Sequence, residues 1–437
     1  MKRVNRILIA AGCLALLVVS WIMVLGAKTT GQKQAELIRQ AEELMERNIY
    51  IRAAPLLEEA AGYNAAYTQE AEDELKRAYL ALMETRGIRR KYTELLDKQM
   101  SRKDAPPEVF AEAAGYYLGI SRITEALTVL KDGIGKTGSD ILTAIYESNR
   151  YAYDVNRTGF DYVSEPQGSW VKVQTGGAWG IAGADGVLLI PCEYEKISTF
   201  GGGMAVVMKN MEIYAVDKNN NRLANLDQNA SDFGELSDNR IPVLINGEWR
   251  RARGDLAIGS VGFEQIGMYR EGYAAAKTGG KWGVVNLEAD WLVPAEYDGI
   301  AQDGLGRCFG QGVVFVREGG CVYRYKGGIR DTDSYDDARP FSTEGYAAVK
   351  RDGKWGYIDT EGTVRINFQF DDALSFGQHL AAVRLGEFWG YINIAGDVVI
   401  EPSFIEARSF SDGSAAVLTQ RGWQFISLLE FKRGPSL

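Results

Sequence analysis

A single histidine, His379, stands in 437 residues. A Ser-His-Asp or Cys-His nucleophile would need it. It lies in the approach to a strand with no supporting motif, as a surface or turn histidine does. The four cysteines are Cys13, Cys192, Cys308 and Cys321. Cys13 falls in an apolar N-terminal run, and the other three lack metal-ligand spacing. There is no phosphate-binding loop; Gly201-Gly202-Gly203 reads as a turn variant. No cofactor and no metal site are expected. Net charge is −9, and basic residues do not cluster outside the N-terminus, so nucleic acid is not an expected partner. Residues 31–150 carry 17 basic and 20 acidic side chains, and residues 151–437 carry 28 and 38, so the acidic excess sits mainly in the second part. Low-complexity tracts are absent. The length calls for two or three domains.

One uncharged run is long. Ile7 to Ala27 follows Lys2, Arg3 and Arg6 and is enough to span roughly 30 Å of hydrocarbon as a helix. The positive flank predicts a cytoplasmic N-terminus and an extracytoplasmic bulk. Residues 1–30 are therefore read as a cytoplasmic stub and single-pass transmembrane anchor, with membrane association through residues 7–27. The alternative is a cleaved signal peptide and secretion, for which Val24-Leu25-Gly26 is a passable site. Ala10-Ala11-Gly12-Cys13 faintly resembles a lipoprotein site, but the apolar run continues beyond it to Leu25.

Residues 31–149 show helical periodicity. Ala35, Ile38, Ala41, Leu44 and Met45 form one stripe, Ala53, Leu56, Leu57 and Ala60 a second, and Leu75, Ala78, Tyr79, Leu82 and Met83 a third. Asp104-Ala105-Pro106-Pro107 suits a helix start. Phe110–Leu118 and Ile123–Leu130 make a helix pair, and Ser139 or Asp140 caps a last helix. These short paired helices resemble tetratricopeptide-type repeats, which implies an α-helical stem and a peptide groove on its concave face.

Residues 150–437 carry an aromatic-glycine signature. Trp179, Trp249, Trp282, Trp355, Trp389 and Trp423 mark it, with Ile213 and Cys321 aligned as degenerate positions. The intervals are 34, 36, 33, 39, 34, 34 and 34 residues. Such a period means stacked modules. In the unit Phe341–Ala373, Gly345–Lys350, Lys354–Asp359 and Thr363–Asn367 read as strands joined by tight Gly turns. Connections this short require antiparallel pairing. Ala-Ala recurs in the first strand, as in Ala347-Ala348, and suggests a crowded innermost strand. Cys321, in place of a core Trp, suits a buried reduced thiol. An insertion of about five residues lies near Gly304–Gly312.

The final unit lacks a third strand, while Arg150–Val155 is strand-like and unassigned. Together they predict an eight-bladed propeller closed by an N-terminal strand against Trp423–Ile426; the alternative is an open β-solenoid. The motif Gly-Lys-Trp-Gly-Tyr-Ile-Asp resembles the bacterial WG-repeat (KWG) family over residues 160–431. That resemblance implies a β-repeat domain on secreted or membrane-anchored proteins, with no shared catalytic residues.

The repeated Trp residues fit packing between units better than a row of sugar platforms. Trp170 and Trp291, outside the repeated position, are candidate contacts. Asp161, Glu195, Glu264, Asp298, Asp336 and Asp371 recur at one site and form a possible ligand face, either as turn caps or as a cation or basic-ligand ring. The expected function is a non-catalytic binding or scaffold protein on the extracytoplasmic side of a bacterial membrane, taking a protein or cell-wall ligand. The alternative is a propeller hydrolase acting on cell-wall glycans or exported peptides, whose paired carboxylates would stand about 5–10 Å apart.

Overall fold

The structure, a computed structural model, describes residues 29–431. The expected anchor at residues 7–27 lies outside the described residues. Within them, no helix is long and apolar enough to cross a membrane. Two compact units divide between Ser148 and Asn149.

The first unit contains seven described helices. They are α1 (29–46), α2 (Tyr50–Gly62), α3 (Thr68–Ala81), α4 (Ile88–Met100), α5 (Pro107–Gly119), α6 (Ile123–Thr137) and α7 (Asp140–Asn149). The apolar stripes face one core: Ile38, Ala41, Leu57, Ala60, Leu75, Ala78 and Phe110 are buried together. Pro107 occupies the first turn of α5, where its missing N–H costs nothing. Gly133 permits close packing on α6, since a Cβ there would lie 2.7 Å from Phe110 and 2.8 Å from Leu142. Buried polar groups are tied between helices. Gln34 donates to the Ala60 carbonyl at 2.9 Å and accepts from the Tyr67 N–H at 2.9 Å. Glu72 accepts from Gln99 at 3.0 Å and pairs with Arg102 at 2.6 Å.

The second unit is an eight-bladed β-propeller, with eight antiparallel sheets among the described residues. Blade 1 comprises Tyr162–Val163, Trp170–Thr175, Ala178–Gly183 and Leu188–Tyr194. Blades 2 to 8 follow at Lys196–Asn225, Ala230–Phe263, Gln265–Tyr297, Gly299–Tyr335, Asp337–Phe370, Asp372–Phe404 and Glu406–Leu428. The fourth strand of blade 8 is Tyr153–Arg157, which pairs Val155 with Ile426 and Arg157 with Gln424. The ring is therefore sealed by an N-terminal strand, displaced a few residues from the expected stretch. Arg150 precedes the strand and pairs with Glu430 at 3.3 Å. Val163, Val173, Trp423 and Phe425 form one cluster across the seam, so no sheet edge is left open there.

The Trp-Gly pair has a steric cause. Trp355 is 4% exposed and packs with Phe370, Ala373 and Val383 of blades 6 and 7. Trp389 packs against blade 8 and Trp282 against blade 5. The fourth strand arches over the Gly: register shifts fall between Trp355 and Tyr357, and between Trp389 and Tyr391. A Cβ on Gly356 would lie 2.7 Å from the Ile366 carbonyl oxygen, and one on Gly390 would lie 2.5 Å from that of Ile400. Pro191, Pro294 and Pro402 occupy these arches, where a missing ladder donor is tolerated. In blade 3, Arg250 replaces the glycine, and its partner across the ladder is Gly262.

Three expectations are corrected. The Ala-Ala strands are not innermost: each is second in its sheet, inside which lies a two-residue strand such as Asp337–Ala338. Two residues are too few to show alternation in sequence. In blade 5 the Trp register belongs to Val322, which pairs with Arg317 and Tyr335 as Trp355 pairs with Lys350 and Phe370. Cys321 sits one place earlier, half-buried; Cys308 is the buried thiol, and burial pushes its pKa up to about 12.

Candidate functional site

Residues just after the two-residue strands converge on the propeller axis. Glu165 of blade 1, Arg339 of blade 6, Ser375 of blade 7 and Ser409 of blade 8 share one cavity of about 240 Å³ with Asp303, Gly304 and Arg307 of blade 5. The last three belong to the insertion. Blade 5 faces blade 1 across an eight-membered ring, and the inserted loop spans that distance. Arg307 Nη1 donates to the Pro166 carbonyl at 3.3 Å and to Gln167 Oε1 at 3.2 Å. The Met268 N–H donates to the Gly306 carbonyl at 3.2 Å. Within the loop, Asp303 Oδ1 accepts the Leu305 and Arg307 N–H groups at 3.0 Å, and its other oxygen pairs with the Arg307 guanidinium. The axial channel is thus blocked by a self-capped loop pinned to the opposite blade.

The arginines of the cavity wall are pre-oriented. Arg339 lies over the Trp355 ring at 5.0 Å and pairs with Asp372 at 2.8 Å. Arg408 lies over Trp423 at 4.6 Å, donates from Nε to the Val163 carbonyl at 2.9 Å, and pairs with Glu406 at 3.0 Å. Stacking on an aromatic face fixes the guanidinium plane. Glu165 accepts the Ser409 N–H at 3.2 Å. Burial pushes its carboxyl above the ordinary range, opposed by Arg408 and Arg307 nearby. Burial also lowers Arg270 from its ordinary value, with Arg307 adding to the effect. A second cavity of about 280 Å³ lies beside the loop, between Gly304, Leu305, Tyr162, Lys172 and Trp179. Lys172 there pairs with Glu235. Such a cup offers oriented guanidinium donors, a buried carboxyl and the Tyr162 ring to a polar ligand.

The acidic series serves its own blades. Asp161, Glu195, Glu264, Asp298, Asp336 and Asp371 each accept a backbone N–H of the hairpin turn between the second and third strands, from Gly176, Asn210, Gly280, Gly319, Gly353 and Gly386, at 2.6 to 3.0 Å. Lys281 and Lys354 add ion pairs to Asp298 and Asp371 of the following blade, at 2.8 and 2.5 Å. None of the six lines the axial cavity. Trp170 meets Phe200 edge-on at 5.4 Å, within the junction of blades 1 and 2. Trp291 is 39% exposed on an outer strand, against Phe263 at 6.1 Å. His379 occupies a turn with φ 64°. Sequence reasoning missed Glu165, Asp303, Arg307, Arg339 and Arg408. The available signals were the insertion itself and the repeated Ala-Arg pairs, Ala338-Arg339 and Ala407-Arg408.

A family described as WG containing repeat matches residues 179–210, 262–282, 334–355, 355–387 and 389–422. The chain carries WG-containing β repeats. Blades 1, 4, 6 and 7 of the WG-repeat propeller supply the matched repeat tryptophans, Trp179, Trp282, Trp355 and Trp389; Trp423 of blade 8 lies just past the last match. No curated protein matches the chain. Among solved structures, Hsv2p of Kluyveromyces lactis is 10% identical, with a TM-score of 0.37, over 54% of this chain and 93% of its own. Sqt1 of Saccharomyces cerevisiae is 11% identical, with a TM-score of 0.38, over 63% and 97%. The Pan2 WD40 domain of Neurospora crassa is 8% identical, with a TM-score of 0.34, over 61% and 88%.

Proposed function

We propose that this chain is a non-catalytic binding or scaffold protein, anchored on the extracytoplasmic side of a bacterial membrane, whose WG-repeat propeller reads a protein or cell-wall ligand in the axial cup. The observation that carries the reading is the Asp303–Arg307 loop. It converts a channel into a floored cavity with fixed walls, and fixed walls reduce the ordering cost of binding. The anchor rests on the apolar run at residues 7–27 and the Lys2, Arg3 and Arg6 flank. The helices offer a second surface for a peptide partner. Protease added to intact protoplasts should remove residues 31–437; full protection contradicts the topology. Capture from cross-linked envelopes by the full chain should fail for an Arg339→Ala variant that still folds.

A second reading is a hydrolase. Glu165 and Asp303 line one cavity, and a carboxyl pushed upward by burial suits a general acid. The Asp303 pairing with Arg307 favours binding instead, because it occupies the second carboxylate. Glu165→Gln separates the two: a hydrolase would keep its ligand and stop releasing product.

A further inference from the structure

Neighbouring blades meet through a repeated trio of positions. One is the first residue of the second strand, another lies two places after the Trp position, and the third is in the inner loop of the next blade. Between blades 6 and 7 these are Tyr346, Tyr357 and Phe376, with ring centroids 5.4 and 4.8 Å from Phe376. Tyr273 meets Phe309 at 4.3 Å between blades 4 and 5, and Tyr391 meets Phe410 at 4.8 Å between blades 7 and 8. Tyr357 and Tyr391 donate their hydroxyls to the Leu374 and Arg408 carbonyls, each at 2.9 Å. These junctions are aromatic and their polar atoms are satisfied.

Between blades 3 and 4 the trio is Arg240, Arg251 and Tyr269. The ladder fixes the equivalence: Arg240 opposes Arg253 as Tyr346 opposes Asp359, and Arg251 opposes Pro242 as Tyr357 opposes Ala348. Tyr269 has no exposed surface. Its hydroxyl, Arg240 Nε and Arg251 Nη1 are buried without a hydrogen-bond partner. Other atoms hold the guanidiniums in place. Arg240 Nη1 donates to the Asn239 carbonyl at 3.0 Å, and Arg251 Nη2 to the Glu288 carbonyl at 2.9 Å. Burial pushes the Tyr269 hydroxyl above its ordinary value, opposed by the Arg251 guanidinium, which acts on it both through charge and as a hydrogen-bonding neighbour, and by the Arg240 charge.

Among the described residues neither arginine has a carboxylate partner, whereas the adjacent Arg250 pairs with Glu248 at 2.9 Å. The nearby Asp238 is engaged by the Gly272 N–H at 2.7 Å, and the Glu288 side chain is exposed. A guanidinium stays charged at any physiological pH and can only donate. Both arginines are half-buried, and charge drawn partly out of water without a counter-charge is disfavoured. Water would accept the three hydrogen bonds but leave two positive charges uncompensated. A group with several acceptor oxygens and negative charge meets both demands.

We propose that the junction of blades 3 and 4 binds a small inorganic oxyanion, phosphate or sulfate, through Arg240 Nε, Arg251 Nη1 and the Tyr269 hydroxyl. The anion ties blade 3, where Arg250 replaces the repeat glycine, to blade 4.

The test titrates inorganic phosphate into the full chain in HEPES free of phosphate and sulfate, read by calorimetry and by thermal unfolding. Saturable binding is expected, with Tm raised by roughly 5 °C at a hundredfold excess over Kd. Sulfate should compete, and chloride at equal ionic strength should not. Arg251→Tyr restores the residue of blades 6 and 7, and Arg240→Leu installs that of blade 7. Each should abolish the response while the protein still unfolds cooperatively, and either one that folds is decisive. No saturable binding to the unaltered chain, or an undiminished response in a folded variant, overturns the proposal.

Discussion

Arg307 in blade 5 donates to the carbonyl of Pro166 in blade 1, 3.3 Å away across the propeller axis. The same guanidinium pairs with Asp303 at the start of its own loop. One side chain thus fastens the floor of the axial cup at both ends.

Replacing Arg307 with Ala should therefore leave the mostly buried Asp303 carboxylate unpaired and cost about 3 kcal/mol. Urea unfolding followed by tryptophan fluorescence isolates the propeller, because eight of the nine tryptophans lie within residues 170–423. An unchanged midpoint would mean that the loop is not held by this contact.

The seam gives a second expectation. A chain beginning at Asn149 retains Tyr153–Arg157 and its five ladder pairs with Gln424–Leu428. A chain beginning at Thr158 exposes the edge of blade 8. The shorter chain should unfold at a markedly lower urea concentration and self-associate through the open edge. Equal midpoints would contradict closure by this strand.

Substitution within the Trp-Gly pair should act through packing. Trp355→Ala is expected to cost about 3–5 kcal/mol. Gly390→Ala should cost about 1–3 kcal/mol, since its Cβ would overlap the Ile400 carbonyl. Differential scanning calorimetry checks both. A Gly390→Ala protein as stable as the parent would show that the arch of the outer strand can move aside.

Much of this fold was legible beforehand, for physical reasons. Trp spacing counts blades because each Trp must meet the next blade once per repeat. The unfinished last unit and the spare strand-like stretch at Arg150–Val155 pointed to the seam because an unpaired edge is unfavourable. The inner strands were not legible: Asp337–Ala338 and Asp372–Ala373 are too short to alternate. Cys321 was misaligned by one residue because blade 5 keeps neither the Trp nor the Gly, leaving only the ladder to identify Val322. The site escaped because Glu165, Arg307, Arg339 and Arg408 lie far apart in sequence and meet only when the ring closes. The acidic series was visible, but its turn-capping geometry was needed to decide its role.

Glu165 predicts a pH effect. Burial raises its folded-state pKa above the unfolded value, so the folded protein binds this proton more tightly. The resulting penalty is absent below the ordinary carboxylate range and grows as pH rises from there toward the folded-state pKa. Glu165→Gln should therefore stabilise the propeller at pH 7, and the gain should fade on acidification below the ordinary carboxylate pKa. A variant less stable than the parent at pH 7 would show that Arg408 and Arg307 outweigh the burial.

The central claim is that the axial cup is the recognition surface. The direct measurement is site-specific photo-cross-linking in intact cells, with a benzophenone amino acid replacing Tyr162, which lines the cup, or Met211, which is 91% exposed outside it. The account predicts a discrete adduct from position 162, abolished by Arg339→Ala, and none from position 211. Adducts at position 211 alone, or a position 162 adduct indifferent to Arg339, would contradict it.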